Sequence, residues 1–253
     1  MFDLSGRCAV VVGGTGGIGG AIALALAGAG ADVVATSRSV GGIESTADQI
    51  EDLGRKTLRI VSDVCDRTSL QELHDRTMAA FGHIDILVNS AGITRRIPTI
   101  ECCEEQWNNI MDVNLNGTLR ACQVFGKSMI KAGYGRIVNV ASLATFVAFH
   151  EVAAYCASKA AVGALTKSLA VEWAGYGVTV NAIAPGVFPT DLNRKLLESG
   201  RGQELLLRTP MARFGAVDEV AGAVVYFAAE ESRFVTGQIL AVDGGYLASG
   251  VNQ

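Results

Sequence analysis

The feature that most constrains the fold is a short apolar strand that runs into a glycine-rich turn and then into an alanine-rich helix. Ala9–Val12 leads into Gly13-Gly-Thr-Gly-Gly17-Ile-Gly19, and a helix is predicted over Gly17–Gly28. Glycines in such a turn let backbone amides approach a pyrophosphate, and the helix N-terminus adds unpaired donors and a partial positive charge. The run therefore predicts a dinucleotide site at the end of a strand of an α/β sheet.

The rest of the chain repeats this order of strand and helix. Most apolar runs are short and unalternating, as expected for parallel strands covered on both faces. Strands are predicted at Ala9–Val12, Val33–Thr36, Thr57–Val61, Ile84–Asn89, Arg136–Ala141, Thr179–Ala184 and Gln238–Val242. Helices are predicted at Gly17–Gly28, Gly42–Leu53, Ser69–Phe81, Glu104–Ala132, Ala153–Trp173 and Asp218–Ala229. The pattern predicts a single-domain, Rossmann-type, doubly wound seven-stranded parallel sheet with helices on both faces, spanning residues 1–253.

One long stretch, Pro185 to Phe214, lacks this regularity. Within it only Leu192–Ser199 and Gln203–Leu207 look helical. A loop of such length inside an α/β domain is usually functional. We therefore predict a substrate lid at about residues 187–214, with the leucines of Leu192–Ser199 facing the core when it closes.

Charge and cysteine usage exclude several classes of partner. The net charge of the 253-residue chain is −4 and no basic block occurs, so neither nucleic acid nor a membrane surface is expected as a main partner. The six cysteines form no Cys-x-x-Cys pair and no Cys/His cluster, so no metal site is predicted. The first residues do not have the pattern of a signal sequence, so none is expected, and we expect a cytoplasmic protein with reduced thiols.

The end of the second predicted strand bears on the choice of dinucleotide. Thr36-Ser37-Arg38 stands where a carboxylate would select NAD. Arg38 can pair with a 2′-phosphate, which favours NADP(H) and leaves NAD(H) possible. The alternative is a solvated arginine beside a site that takes either cofactor.

A second constellation carries acid/base chemistry. Tyr155 and Lys159 are four residues apart on a predicted helix and share one face, and Ser142 lies upstream. The ammonium, helped by a cationic nicotinamide ring, can lower the pKa of the phenol towards neutrality. Reduction of a carbonyl builds negative charge on oxygen, and the hydroxyls of Ser142 and Tyr155 are suitable donors to it.

With these residues in place, the chain resembles the short-chain dehydrogenase/reductase family over nearly its whole length. The resemblance rests on the Gly13–Gly19 turn, Asp63-Val64, Asn89-Ser-Ala-Gly92, Asn114, Ser142, Tyr155 with Lys159, Pro185-Gly186 and Thr190. It implies an oxidoreductase that interconverts a secondary alcohol and a ketone by hydride transfer. It also implies a homotetramer, in which paired helices form a dimer and C-terminal strands, with the tail Tyr246–Val251, complete the assembly.

The resemblance also implies residue roles. Ser142 would bind the substrate oxygen, Tyr155 would transfer the proton, and Lys159 would tune Tyr155 and hold the nicotinamide ribose. Asn114 would distort its helix and hold a water that relays protons to Lys159. The predicted cofactor residues are Gly13, Thr15, Gly16, Gly17, Ile18, Gly19, Ser37, Arg38, Asp63, Val64, Asn89, Ala91, Gly92, Tyr155, Lys159, Pro185, Gly186, Val187 and Thr190.

Two positions depart from the family pattern. Val12 stands where a threonine is usual, and Ser90 replaces a second asparagine. The threonine hydroxyl would tie the turn to the Asn89 segment, and its loss is expected to weaken that tie by about 1 kcal/mol.

The substrate is less constrained by the sequence. Several segments resemble gluconate 5-dehydrogenase-like members of the family, which implies a sugar acid such as gluconate or 5-ketogluconate. A carboxylate needs a cation and the hydroxyls need polar groups. Candidate substrate residues are Arg95, Thr145, His150 and Asn193, with Arg96 and Arg213 as further arginines that can equally be solvated or structural.

Two other functions remain open on the sequence. The first is a 3-oxoacyl-[acyl-carrier-protein] reductase or a broad carbonyl reductase, and the second is a non-catalytic dinucleotide sensor. A carrier-protein reductase needs a basic docking surface, which a net charge of −4 does not indicate. A sensor would be expected to have lost the tyrosine or the lysine, and this chain has both.

Overall fold

A parallel sheet of six strands organises the computed structural model, which describes residues 1–190, 193 and 197–250. The strands are β1 (Cys8–Val12), β2 (Asp32–Thr36), β3 (Ile86–Asn89), β4 (Gly135–Val140), β5 (Val178–Pro185) and β6 (Ile239–Val242). Their order across the sheet is β2-β1-β3-β4-β5-β6, and every neighbouring pair is parallel. The order reverses between β1 and β3, which is where open α/β sheets place their ligand crevice.

Eight α-helices connect and cover the strands within the described ranges. They are α1 (Gly17–Gly28), α2 (Val40–Asp52), α3 (Arg67–Phe81), α4 (Glu104–Met111), α5 (Gly117–Ala132), α6 (Ala153–Trp173), α7 (Gly200–Leu207) and α8 (Val217–Ala228). The α/β class and the helices on both faces of a parallel sheet confirm the sequence prediction.

Two apolar cores lie on the opposite faces of the sheet. On β1, Ala9 and Val11 pack into the core formed with α1 and α8, whereas Val10 and Val12 pack into the core formed with α3, α5 and α6. Both faces are buried, so consecutive residues of the strand are all apolar. This is why the strands read as unalternating runs in the sequence.

The predicted seventh strand, Thr57–Val61, is wrong. Among the described residues this segment lies beside β2, but the backbone joins the two only at the ends: Val33 N donates to Lys56 O and Ser62 N donates to Ser37 O, each at 3.0 Å. Between those bonds the Thr36 hydroxyl donates to Ile60 O at 2.6 Å. A side chain thus takes a carbonyl that a ladder would use, and the sheet has six strands instead of seven.

The predicted helix Glu104–Ala132 is interrupted. A π-helical turn, Asp112–Asn116, separates α4 from α5, and the Gly117 amide donates to the Asp112 carbonyl five residues earlier. The hydroxyl of Thr118 donates to Asn114 O at 2.8 Å. The distortion falls on Asn114, where the family resemblance placed it.

Parts of two predictions lie outside the described residues. These are residues 192 and 194–196 of the lid helix predicted over Leu192–Ser199, and residue 251 of the apolar tail. The helix predicted at Gln203–Leu207 is present as α7. Within the part of the chain that the structure describes, no helix is long and apolar enough to cross a membrane. In the same ranges, no three His, Cys, Asp or Glu side chains are grouped so that they could hold a metal ion.

Val12 lies beside the side-chain amide of Asn89. Val12 pairs in register with Asn89 on β3. The Asn89 side-chain nitrogen donates to Asn139 Oδ1 at 2.9 Å and contacts Cys122 Sγ at 3.3 Å. Its Oδ1 is buried, and among the described residues it has no hydrogen-bond partner. A threonine at position 12 would place a donor on this face of the sheet.

We therefore expect Val12→Thr to raise the free energy of unfolding by about 1 kcal/mol, because the new hydroxyl supplies the donor that Asn89 Oδ1 lacks. Val10→Thr is the matched control, since Val10 lies on the same strand face and is fully buried. It should lower the free energy of unfolding by about 1–3 kcal/mol, because its hydroxyl is buried beside apolar neighbours. Urea unfolding measures both. An equal loss of unfolding free energy in the two variants would contradict the expected hydrogen bond from the new hydroxyl at position 12 to Asn89 Oδ1.

Candidate functional site

A cleft of about 520 Å³ opens at the carboxyl ends of β1, β3, β4 and β5. Its volume is within the usual range for small-molecule sites. Its walls come from the ends of these strands, from the segments that follow them and from helix α6: Gly13, Gly16, Gly17, Ile18, Gly19, Ser90, Ala91, Gly92, Ile93, Thr94, Val140, Ala141, Ser142, Tyr155, Lys159, Pro185, Gly186, Phe188, Thr190 and Asn193. The parallel topology therefore brings the glycine turn and the tyrosine–lysine pair to one cavity.

The glycine turn has the shape that a dinucleotide requires. Gly13 has φ +79°, and a Cβ there would lie 2.5 Å from Ala91 N. A Cβ on Gly19 would lie 2.0 Å from Gly13 O. Gly16 is the N-cap of α1 and borders open space, so no side chain stands between the first amides of the helix and the cleft. These features fit a bound pyrophosphate.

Hydroxyls and one guanidinium gather at the end of β2. Thr15 Oγ1 donates to Ser37 Oγ at 2.7 Å, and Ser39 caps α2 by accepting from Gly42 N at 3.2 Å. Arg38 is exposed and lies 3.9 Å from Asp63 Oδ2. The arginine charge and the N-terminus of α2 together make the end of β2 suitable for a phosphate.

Lys159 is buried in α6 beneath the cleft. It is 5% exposed, and its Nζ donates to Val140 O at 2.7 Å. Burial lowers the pKa of Lys159 to about 8, because the ammonium has lost most of its water. The side chain therefore still carries its charge at neutral pH but is close to losing it.

Tyr155 lies one turn before Lys159, with the Lys159 Nζ 5.8 Å from the centre of its ring. Burial raises the pKa of Tyr155, and interaction with the Ser142 side chain opposes that rise. The fall towards neutrality that the sequence predicted is therefore not produced by the protein's own groups. The other positive charge that the sequence analysis named as lowering the pKa of Tyr155 is the cationic nicotinamide ring.

The Ser142 hydroxyl is oriented by its own loop. Ser142 caps the short 3₁₀ turn Leu143–Thr145, and its Oγ accepts from Ala144 N at 3.1 Å. With the oxygen accepting from this amide, the hydroxyl proton can be directed at a substrate oxygen in the cleft.

Asn114 joins the π-helical turn to two other parts of the site. Its Oδ1 accepts from Ile93 N at 2.8 Å, and its Nδ2 donates to Ile93 O at 2.9 Å and to Ser158 Oγ at 3.0 Å. Asn114 is fully buried and does not line the cleft. It therefore holds the loop after β3 against α6 from below.

The structure brings together most of the predicted cofactor residues. Those lining the cleft are Gly13, Gly16, Gly17, Ile18, Gly19, Ala91, Gly92, Tyr155, Lys159, Pro185, Gly186 and Thr190. Thr15, Ser37, Arg38 and Asp63 lie at the end of β2 instead, as described above. Val64 is buried against α5. The Asn89 side chain bonds to Asn139 on the neighbouring strand β4. Val187 and Phe188 border a separate cavity.

The four predicted substrate residues are dispersed. Asn193 lines the cleft, where its side chain accepts from Thr190 N and donates to Phe188 O, each at 2.8 Å. Arg95 borders a neighbouring cavity of about 200 Å³. The His150 side chain is 76% exposed and lies 3.6 Å from Glu151. Thr145 does not line the cleft and contacts α6.

The two further arginines each have a carboxylate partner. Arg96 donates to Glu151 Oε2 at 2.5 Å, and Arg213 forms a two-point pair with Glu219 at 2.6 and 2.7 Å. The second pair braces the start of α8, which agrees with the structural alternative for Arg213.

Five residues of the cleft wall were not predicted from the sequence, whereas Ser90 belongs to the Asn89–Gly92 segment on which the resemblance rests. The five are Ile93, Thr94, Val140, Ala141 and Phe188. Each ends or follows a strand within two residues of a predicted residue. The rule that strand carboxyl ends converge in a parallel sheet could have found them.

Comparisons with known proteins agree with this geometry. The family model described as Enoyl-(Acyl carrier protein) reductase matches residues 13–247. A D-threitol dehydrogenase of Mycolicibacterium smegmatis is 42% identical over 245 residues, covering 97% of this chain and 94% of that protein. A 2-dehydro-3-deoxy-D-gluconate 5-dehydrogenase of Bacillus subtilis is 42% identical over 250 residues, covering 98% and 97%.

Two further similarities are to a carrier-protein reductase and to a solved structure with a bound dinucleotide. A 3-oxoacyl-[acyl-carrier-protein] reductase of Thermotoga maritima is 38% identical over 242 residues, covering 96% of this chain and 98% of that protein. The solved structure of a gluconate 5-dehydrogenase from Burkholderia cenocepacia in complex with NADP and tartrate has a TM-score of 0.94 and 39% identity, covering 98% of each chain. The fold and cleft are those of a dinucleotide-dependent oxidoreductase acting on CH–OH groups. The chain belongs to the short-chain dehydrogenase/reductase family.

The burial of Lys159 has a measurable pH dependence. Between about pH 8 and 10.5 the unfolded lysine holds its proton and the folded one does not. The unfolded state then binds more protons, so stability rises with pH. Relative to Lys159→Met, the wild type should gain about 3 kcal/mol of unfolding free energy across this window.

Urea unfolding at several pH values measures this difference, and Lys167→Met is the matched control because Lys167 is exposed on the same helix. The difference between the wild type and this control should not change with pH. A wild-type-minus-Lys159→Met difference that is equally flat would contradict the low pKa of Lys159.

Proposed function

We propose that this enzyme interconverts a secondary alcohol and a ketone on a sugar acid, such as gluconate and 5-ketogluconate, with NADP(H) as the favoured cofactor. The observation that carries the proposal is one cavity lined by Ser142, Tyr155, Lys159 and the glycine turn. The similarity to sugar-acid and polyol dehydrogenases supports the substrate class.

The preference for NADP rests on the end of β2. The Arg38 guanidinium, the hydroxyls of Thr15 and Ser37 and the N-terminus of α2 offer charge and donors to a 2′-phosphate. The relative from Burkholderia cenocepacia was solved with NADP. NAD(H) remains the alternative, because the same strands and loops would contact the riboses of either cofactor.

The chain's own residues handle the proton. Bound NADP supplies the hydride acceptor or donor. In oxidation, Tyr155 Oη takes the hydroxyl proton of the alcohol, and in reduction it returns that proton to the carbonyl oxygen. The Ser142 hydroxyl donates to the same oxygen and stabilises its developing negative charge. Burial raises the pKa of Tyr155 in the protein alone, so the phenolate that oxidation needs would depend on the Lys159 charge acting together with a cationic nicotinamide ring.

Asn114 supports Ser142, Tyr155 and Lys159 without itself lining the cleft. By holding Ile93 and Ser158 it keeps the loop after β3 next to the helix turn that carries Lys159. We keep for it the water-mediated proton relay to Lys159 that the family resemblance implied.

Arg95 is our candidate for the substrate carboxylate. Ile93 and Thr94 line the cleft, and Arg95 continues the same loop into the neighbouring cavity. Arg96 is paired with Glu151, so Arg95 is the better placed of the two arginines. A cation at the rim of the cleft would select a sugar acid over an uncharged ketone.

Reduction of acyl-carrier-protein β-ketoesters is the second candidate. The similarity to the Thermotoga maritima reductase favours it. An acidic carrier needs basic docking residues, and the chain has a net charge of −4. An acetoacetyl thioester assayed beside 5-ketogluconate separates the two.

We also propose a cytoplasmic homotetramer with a lid at about residues 187–214. The exposed face of α6 carries Ala160, Ala164 and Val171, and β6 ends the sheet with Leu240 exposed. Such small and apolar surfaces are suited to contacts between copies of one chain.

The proposed mechanism predicts that Tyr155→Phe lowers kcat by about 10²–10⁴-fold, because the proton acceptor and donor is lost. NADPH should still bind, since the glycine turn and Lys159 remain. Turnover is measured with gluconate, 5-ketogluconate, D-threitol and an acetoacetyl thioester, each with both cofactors. NADPH binding is measured by fluorescence.

Tyr176→Phe is the matched control, because Tyr176 is exposed and remote from the cleft. It should retain wild-type turnover on every substrate. Full activity in Tyr155→Phe would exclude the mechanism. Wild-type turnover of the thioester but of no sugar acid would exclude the substrate class.

The cofactor assignment predicts that Arg38→Ala raises the KM for NADPH by about 10- to 100-fold, because a charged contact to phosphate is lost. The KM for NADH should barely change. Arg233→Ala is the control, since its side chain is 72% exposed, against 70% for Arg38. An unchanged NADPH/NADH preference in Arg38→Ala would refute the role of Arg38.

A further inference from the structure

The segment that carries Ser142 touches Lys159 at both of its ends. Before Ser142, the Val140 carbonyl accepts from Lys159 Nζ at 2.7 Å. After it, the Thr145 hydroxyl donates to the main-chain carbonyl of Lys159 at 3.1 Å. Ser142 lies between these contacts, so its place relative to Lys159 is fixed from two sides.

The second contact depends on a glycine in α6. A Cβ on Gly163 would lie 2.7 Å from Thr145 Cγ2 and 3.0 Å from Ile239 Cδ1. Gly163 follows Lys159 by one helical turn, so the Thr145 methyl occupies the space left on the same helix face. The absent side chain is what lets the 3₁₀ turn Leu143–Thr145 approach the helix closely.

We propose that Thr145 is a positioning residue, which together with Gly163 fixes the Ser142 loop against α6 so that Ser142 and Tyr155 address the same substrate oxygen. This rests on the proposed function of Ser142 and Tyr155. It replaces the prediction of Thr145 as a substrate residue, because its hydroxyl is bonded to Lys159 O and its side chain does not line the cleft.

The hydroxyl is tested by Thr145→Val and Thr145→Ser. The valine keeps the shape and loses the bond to Lys159 O, and kcat should fall by about 10- to 100-fold with the KM for NADPH unchanged. Ser142 opposes the rise in the pKa of Tyr155. The displaced loop should therefore move the rising limb of the kcat–pH profile for alcohol oxidation to higher pH. Thr145→Ser keeps the hydroxyl, so the rising limb should lie at its wild-type pH and most of kcat should be retained.

The close approach is tested by Gly163→Ala. Alanine is the better helix former, so the helix itself is not weakened. The added methyl should nevertheless displace Thr145 and give the same loss of kcat and the same shift of the limb as Thr145→Val. In the double variant with Thr145→Ser the conflicting Cγ2 is gone, and activity should recover. Thr77→Val is the control, since the Thr77 hydroxyl donates to a helix carbonyl, Leu73 O, at 2.7 Å outside the cleft.

The kinetics use the alcohol that the wild type oxidises fastest. Wild-type inactivity on every alcohol would count against the proposed function. If the wild type is active and Thr145→Val leaves kcat and the pH of the rising limb unchanged, the positioning role of Thr145 is overturned and the proposed function is not. Hydrogen exchange needs no substrate: the amides of Thr145, Phe146 and Val147, which donate within the loop, should exchange faster in Thr145→Val than in Thr145→Ser. Equal exchange would also overturn the proposal.

Discussion

The proposed active site depends on a lysine whose ammonium is held in the protein interior by a backbone carbonyl. Lys159 donates to Val140 O at 2.7 Å, and burial lowers its pKa to about 8. A charge with little water around it acts more strongly on its neighbours than an exposed one. That charge is one turn from Tyr155, and the carbonyl that holds it is two residues from Ser142. This hydrogen bond thus ties the end of β4 to helix α6, which also carries Tyr155, the proposed acid/base group.

The architecture explains why these parts meet. Parallel strands direct their carboxyl ends to one edge, and each strand delivers a short segment there: the glycine turn after β1, the Ile93 loop after β3, Ser142 after β4 and Gly186 after β5. Helix α6 returns across the sheet with Tyr155 and Lys159 on the face that meets this edge. The π-helical turn at Asn114 then fastens the Ile93 loop to α6. One topology therefore brings together the proposed cofactor cradle and the proposed acid/base residues.

Much of this could be predicted from the sequence, because the relevant signals are local. Apolar runs covered on both faces gave the strands, and the bounds of α1 and α6 match the predictions. The segment Thr57–Val61 failed because its β pattern does not reveal that the Thr36 hydroxyl takes the Ile60 carbonyl. The contact of Thr145 could not be predicted for a similar reason, since its partner is a backbone carbonyl brought near by Gly163. Arg95 and His150 also required tertiary structure, because a loop sequence does not give the direction in which a side chain points.

The most direct test of this account is the titration of Lys159 itself. Lysine labelled with ¹³C at Cε can be followed by NMR in the cofactor-free protein as the pH is raised, with Lys159→Met identifying the resonance. The account predicts one lysine that titrates near pH 8 and is missing from the variant. If the resonance lost in Lys159→Met titrates near the ordinary lysine value of 10.5, the lysine is not held in the way described, and the central claim is wrong.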